Sequence, residues 1–216
     1  PRPPAAVPGP PLNTTTFPRK VAGSSGVASS QRPAYTTGTL LMSTFAPMPP
    51  AGAIGIQSVL AAAALPADAR QTWVRLADIA IPPFVDVRHT AGNYPRPEGA
   101  MGDLLQHTLD CTDLVLVAPV YWFSFPSTLK AYLDHWSAWL RIPEVPFKDT
   151  MRGKRMHLIT TSGDRAKAQP MIDSTRLCAA FLSMELAGVL WGKGGAPRAV
   201  EADVDAVREA QGFFGR

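Results

Sequence analysis

Apolar and polar positions change rhythm several times along this chain, and each rhythm predicts an element. The most continuous apolar run lies in DLVLVAP, residues 113–119. Such a short run, partly β-branched, predicts a central parallel strand covered on both faces. From Pro126 the spacing turns helical: Leu129, Tyr132, Leu133, Trp136, Trp139 and Leu140 form one stripe, with Ser127 placed to cap it. Upstream, Met101, Leu104, Leu105 and Leu109 predict a helix that starts near Pro97–Glu98. QTWVRLADIAIPPF alternates from residue 71 and predicts a strand, which Pro82–Pro83 turns into an extended loop. VDVRHTAGNYPRP reads as a long polar connection. Downstream, RMHLITTSGD, PMIDSTRLCAAFLSM, ELAGVLWGKGG and EADVDAVREAQGFF predict strand, helix, strand and helix. Nearer the start, TGTLLMSTF (37–45) reads as a buried strand and IGIQSVLAAAAL (54–65) as a helix.

Strands alternating with helices build a parallel sheet with right-handed crossovers. The expected fold is a three-layer α/β/α sandwich around five parallel strands, covering residues 38–216. Residues 1–37, rich in Pro, Ser, Thr, Ala and Gly, are expected to form a disordered tail. Doubly wound sheets bind ligands beyond the carboxyl ends of their strands, where the winding direction switches. Two stretches fall beyond such ends: APVYWFSFPS and TTSGD.

Composition narrows the choices. The net charge of +4 comes from the front of the chain, where residues 1–66 hold four basic residues and no acidic one. The rest balances seventeen of each sign, so the basic pI is no sign of a nucleic-acid surface. Cys111 and Cys178 are isolated, which argues for inert thiols over a metal site or a disulfide scaffold. No run approaches the ~18 apolar residues of a membrane span, and the first residues lack a signal-peptide core. A cytoplasmic protein is expected.

The chemistry centres on Tyr121, Trp122 and Phe123, three aromatics in a turn. Turns are normally polar, so aromatics there point to a flat apolar ligand lying against them. The alternative is that they plug the end of the sheet or meet a partner. Phe125 reads as core. His135 follows Asp134 on a helix and forms no dyad with it; His89 reads as a solvated loop residue. Asp164 is flanked by Arg165 and Lys167, either a surface charge pair or an attractor of dinucleotide phosphates. GKGG (192–195) has no phosphate-loop spacing and reads as a flexible connection. There is no GxSxG elbow.

CTDLVLVAPVYWFSFPSTLKAYLDHWSAWLR resembles the third strand, loop and helix of the flavodoxin-like NAD(P)H-dependent oxidoreductases, the NADPH-dependent FMN reductases. WVRLADIAIPPFVDVRH and GKRMHLITTSGD resemble that family in the same order, so the likeness spans roughly residues 71–192. It implies the strand order 2-1-3-4-5 and an FMN across the sheet's carboxyl edge. The ring would rest along Pro119, Val120, Tyr121, Trp122, Phe123 and Ser124, with further contacts from Thr161, Ser162, Gly163 and Asp164. Backbone amides would meet the ring's polar edge, and no acid or base side chain would be required. The implied activity passes hydride from NAD(P)H through FMN to a quinone, flavin, azo or nitro acceptor. A homodimer is implied as well.

The first loop departs from the family pattern. In STFAPMPPAGAIGIQS (43–58), Ser43 and Thr44 match loosely, the arginine is missing, and three prolines remove amide donors. Two readings follow: a chain that binds FMN weakly or not at all, as a cofactor-free flavodoxin-like binding module, or a segment of residues 1 to about 58 translated out of frame from a GC-rich gene. An electron-carrier flavodoxin fits less well, because the charge-balanced remainder offers no acidic docking face.

Overall fold

A computed structural model describes residues 39–44, 53–66, 68–194 and 199–215. The expected tail at 1–37 and residues 45–52 of the first loop lie outside them. Among the described residues, five parallel strands form one sheet: β1 Thr39–Thr44, β2 Arg70–Arg75, β3 Asp113–Pro119, β4 Arg155–Ser162 and β5 Glu185–Lys193. Their order is β2-β1-β3-β4-β5. The six α-helices among them are α1 Ala53–Ala63, α2 Gly99–Asp110, α3 Ser127–Trp139, α4 Phe147–Met151, α5 Arg165–Phe181 and α6 Val204–Gly212.

β3 shows why its sequence is continuously apolar. Leu114, Leu116 and Ala118 join the core cluster that includes residues of α2 to α5, whereas Val115 and Val117 join the one that includes residues of α1 and α6. Successive strand residues point to opposite faces, so a strand covered twice has no polar side. Fully burying each of these branched side chains contributes about 1.5–3 kcal/mol. The edge strand β2 is covered in the same way, with Trp73 and Val74 buried in opposite clusters.

Three local expectations are corrected. Ser127 is the first residue of α3, Pro126 holds the cap position, and no side chain caps the helix. α5 begins at Arg165, ahead of the expected PMIDSTRL segment, because Asp164 caps it by accepting from the Lys167 N–H at 3.0 Å; Pro170 lies inside the helix. In GKGG, Gly192 and Lys193 belong to β5, and Gly194 packs where a Cβ would stand 3.0 Å from the Thr161 Cβ. The described part of that connection is therefore closely fitted. No described helix is long and apolar enough to cross a membrane.

Candidate functional site

The carboxyl ends of β1, β3 and β4 lie side by side. Thr44 pairs with Val117, and Pro119 pairs with Thr161. Ser43 and Thr44 thus end the strand next to the one that launches the aromatic loop.

That loop opens with a bond from the Val120 N–H to the Thr161 carbonyl at 3.0 Å. It then folds into a tight turn: Tyr121 and Ser124 exchange backbone hydrogen bonds at 3.0 and 2.9 Å. The two central residues both take positive φ, 49° at Trp122 and 63° at Phe123. A turn of this kind normally calls for Asn-Gly, because a Cβ crowds the backbone there. Two bulky aromatics in left-handed geometry cost about 1–2 kcal/mol each. The turn turns all three aromatics outward, with Tyr121 51%, Trp122 94% and Phe123 51% exposed. Phe125 is buried, as its sequence context predicts. About half or more of each of Tyr121, Trp122 and Phe123 is open to solvent.

The amide ledge expected along 119–124 is narrower than the sequence suggested. Proline at 119 has no N–H, and the amides of Val120, Tyr121 and Ser124 bond within the chain. The N–H groups of Trp122 and Phe123, at the tip of the turn, take no part in that pairing.

The β4 end is held by its neighbours. The Trp191 indole donates to the Ser162 hydroxyl at 2.7 Å, and that hydroxyl donates to the Asp164 carbonyl at 2.6 Å. The Gly194 N–H donates to the Ser162 carbonyl at 2.8 Å. Thr161 is buried, Ser162 half-buried, and Gly163 and Asp164 are exposed. Asp164 pairs with Lys167 at 3.0 Å, and hydrogen bonds from the Lys167 side chain and backbone hold its carboxyl below the usual range. The Lys167 charge is thereby partly committed.

A third segment, residues 79–98, has no regular structure beyond turns yet is firmly anchored. The His135 Nε2–H donates to the Pro82 carbonyl at 2.8 Å, since a carbonyl can only accept. Phe84 stacks on Tyr94 and meets the His135 ring edge-on. The Tyr94 hydroxyl accepts from the Val87 N–H at 2.8 Å, and the Tyr94 N–H donates to the Arg141 carbonyl. Hydrogen bonds from Arg88 lower the Asp86 carboxyl to about 2. His89 is exposed in the turn. His135, which the sequence offered no chemical role, is an anchor for this loop.

Sequence reasoning passed over one polar cluster at the opposite end of the sheet. Asp113, fully buried, accepts from the His157 Nε2–H at 3.1 Å and the Thr112 hydroxyl at 2.8 Å, and pairs with Arg155 at 2.7 Å. Burial opposes its charge, but the bonds from His157, Arg155 and Thr112 outweigh that and keep the carboxyl below its ordinary value. An Asp beginning an apolar strand, with Arg and His beginning the next, was the available signal.

The Flavodoxin-like fold family model matches residues 51–210. The Bacillus subtilis (strain 168) protein YwqN, whose name describes an NAD(P)H-dependent FMN-containing oxidoreductase, is 31% identical over 139 residues; the match covers 63% of this chain and 77% of YwqN. Among solved structures, the Trp repressor binding protein from Bacillus subtilis superposes with a TM-score of 0.62 at 23% identity, over 82% of this chain and 97% of that one. An FMN-dependent NADH-azoreductase from Bacillus anthracis, in complex with FMN, gives 0.60 at 16% identity, over 84% and 99%. The strand–helix alternation, the parallel sheet and the family match agree: this chain belongs to the flavodoxin-like fold family.

Proposed function

We propose that this chain is an FMN-dependent NAD(P)H oxidoreductase acting on a small-molecule acceptor of the quinone, flavin, azo or nitro kind. The observation that carries the reading is the Tyr121–Ser124 turn, which holds strained backbone and outward aromatic faces at the carboxyl edge of the sheet. Strain of this kind persists where the surrounding structure fixes it, and it clusters at ligand sites. YwqN supports the same direction by its name and by its share of identical residues.

The residues present fit a flat amphipathic ring. Tyr121, Trp122 and Phe123 offer apolar faces, and the Trp122 and Phe123 amides offer donors for a polar ring edge. Thr161, Ser162, Gly163 and Asp164 form the second wall, and Ser43 and Thr44 mark the phosphate end. Pro119 and Val120 fix the base of the turn to β4. The chemistry FMN brings when bound is two-electron transfer between a reduced nicotinamide and an acceptor. The protein's part is to orient, to exclude water and to present donors; no side-chain acid or base is required.

Cytoplasmic residence, a domain spanning residues 38–216, the family strand order 2-1-3-4-5 and a homodimer belong to the same reading. Purified protein is expected to quench FMN fluorescence on titration and then to oxidise NADH or NADPH. A colourless protein that takes up no FMN at high micromolar concentration would instead make it a cofactor-free binding module.

A further inference from the structure

Arg75 ends β2, and its register partner Thr44 ends β1. Both therefore lie at the carboxyl edge, next to the point between β1 and β3 where the order of winding reverses. The Nε of Arg75 is buried and has no hydrogen-bond partner. Its Nη1 meets Asp78 at 3.3 Å, in a pair whose side chains are 37% and 49% exposed. A pair that open to water is weak. A guanidinium carries five donors and cannot shed its charge, so a buried N–H without an acceptor is a cost that a ligand anion would remove. With Nη1 turned toward Asp78, the edge formed by Nε and Nη2 is the one suited to a second, bidentate acceptor.

The sequence around it sharpens the point. Residues 1–66 contain no Asp or Glu, so no carboxylate from β1, α1 or the loop joining them can serve Arg75. Residues 43–58 contain no Arg or Lys either, so a phosphate at the end of β1 finds no cation in that stretch. The two shortages are complementary.

We propose that Arg75 is the cationic contact for the phosphate monoester of FMN, supplied from the end of β2 instead of from the first loop. The inference rests on the FMN reading above and assigns the residue that tells FMN from riboflavin. A dianionic monoester gains two charge-assisted bonds from one guanidinium edge, whereas riboflavin, lacking the phosphate, gains nothing there.

The test is a fluorescence titration of FMN and riboflavin on the wild-type chain and on Arg75→Ala and Arg75→Lys, with folding checked by circular dichroism. Wild type is expected to prefer FMN. Arg75→Ala should weaken FMN about tenfold to a hundredfold and leave riboflavin within about twofold. Arg75→Lys should recover part of the loss, because it keeps the charge without the fork. Should Arg75→Ala fold poorly, Asp78→Asn reads the same contact: releasing the competing carboxylate should tighten FMN and leave riboflavin unchanged. Equal losses for both flavins, or an unaltered FMN affinity in Arg75→Ala, would overturn the assignment. A wild type that binds riboflavin as tightly as FMN would overturn it too while sparing the cofactor reading. A wild type that binds neither flavin would remove the cofactor reading itself.

Discussion

Tyr121 and Ser124 lock each other's backbone, and the cost of that lock falls on the two residues between them. Replacing Trp122 by Asn and Phe123 by Gly gives the turn the residues its geometry favours. The double variant is expected to be more stable by about 1–3 kcal/mol and to hold FMN less tightly. Denaturant melts beside flavin titration check both halves; a destabilised double variant would show that the aromatics pack more than they strain.

Asp113 sets an acid limit on stability. Its folded carboxyl lies below the unfolded value, so its contribution is present above that value and is lost as pH falls through the folded one. Asp113→Asn should lower stability near neutrality by about 3 kcal/mol, because Arg155 and His157 lose the charge they surround. It should also flatten the dependence below about pH 4. Urea melts from acid to neutral pH measure the slope.

The buried pair Thr108 and Tyr132 has a fixed direction. The Thr108 hydroxyl donates to the Leu104 carbonyl at 2.7 Å, so the Tyr132 hydroxyl must be the donor in their 2.8 Å contact. Tyr132→Phe leaves the Thr108 hydroxyl bonded to Leu104 and should cost about 1 kcal/mol, whereas Thr108→Val strands a buried phenol and should cost about 2–3 kcal/mol. Equal costs in thermal melts would refute the assigned direction.

Gly102 inverts a familiar trend. Glycine to alanine inside a helix normally stabilises by about 1 kcal/mol. At Gly102 in α2 a Cβ would stand 2.7 Å from the Pro97 carbonyl oxygen, a backbone atom with little room to yield. Gly102→Ala is expected to lower the melting temperature by several degrees, about 2 kcal/mol or more.

Periodicity made the scaffold legible. The apolar run at 114–118 could satisfy only a strand covered on both faces, and Leu129, Tyr132, Trp136 and Trp139 could share only a helix face. The same reasoning singled out the aromatic turn, because Tyr121 to Phe123 break the rule that turns are polar. It did not reveal the turn's handedness, since Trp and Phe are the residues least expected at positive φ. Nor did it find α4, whose five residues (Phe147–Met151) are too few for a helical period to show. The Asp113 cluster and the Trp191–Ser162 bond were hidden for another reason: both join residues distant in sequence, and only strand register brings them together.

α3 is the mount for two segments at once. It begins just past the Tyr121–Ser124 turn, and it grips the 79–98 loop through His135, with Arg141 holding Tyr94 just beyond its end. A single rod thus carries both, so sliding that rod moves them in concert and preserves their spacing. Severing the His135 clasp together with the Tyr94–Arg141 bond is the change that lets one travel without the other.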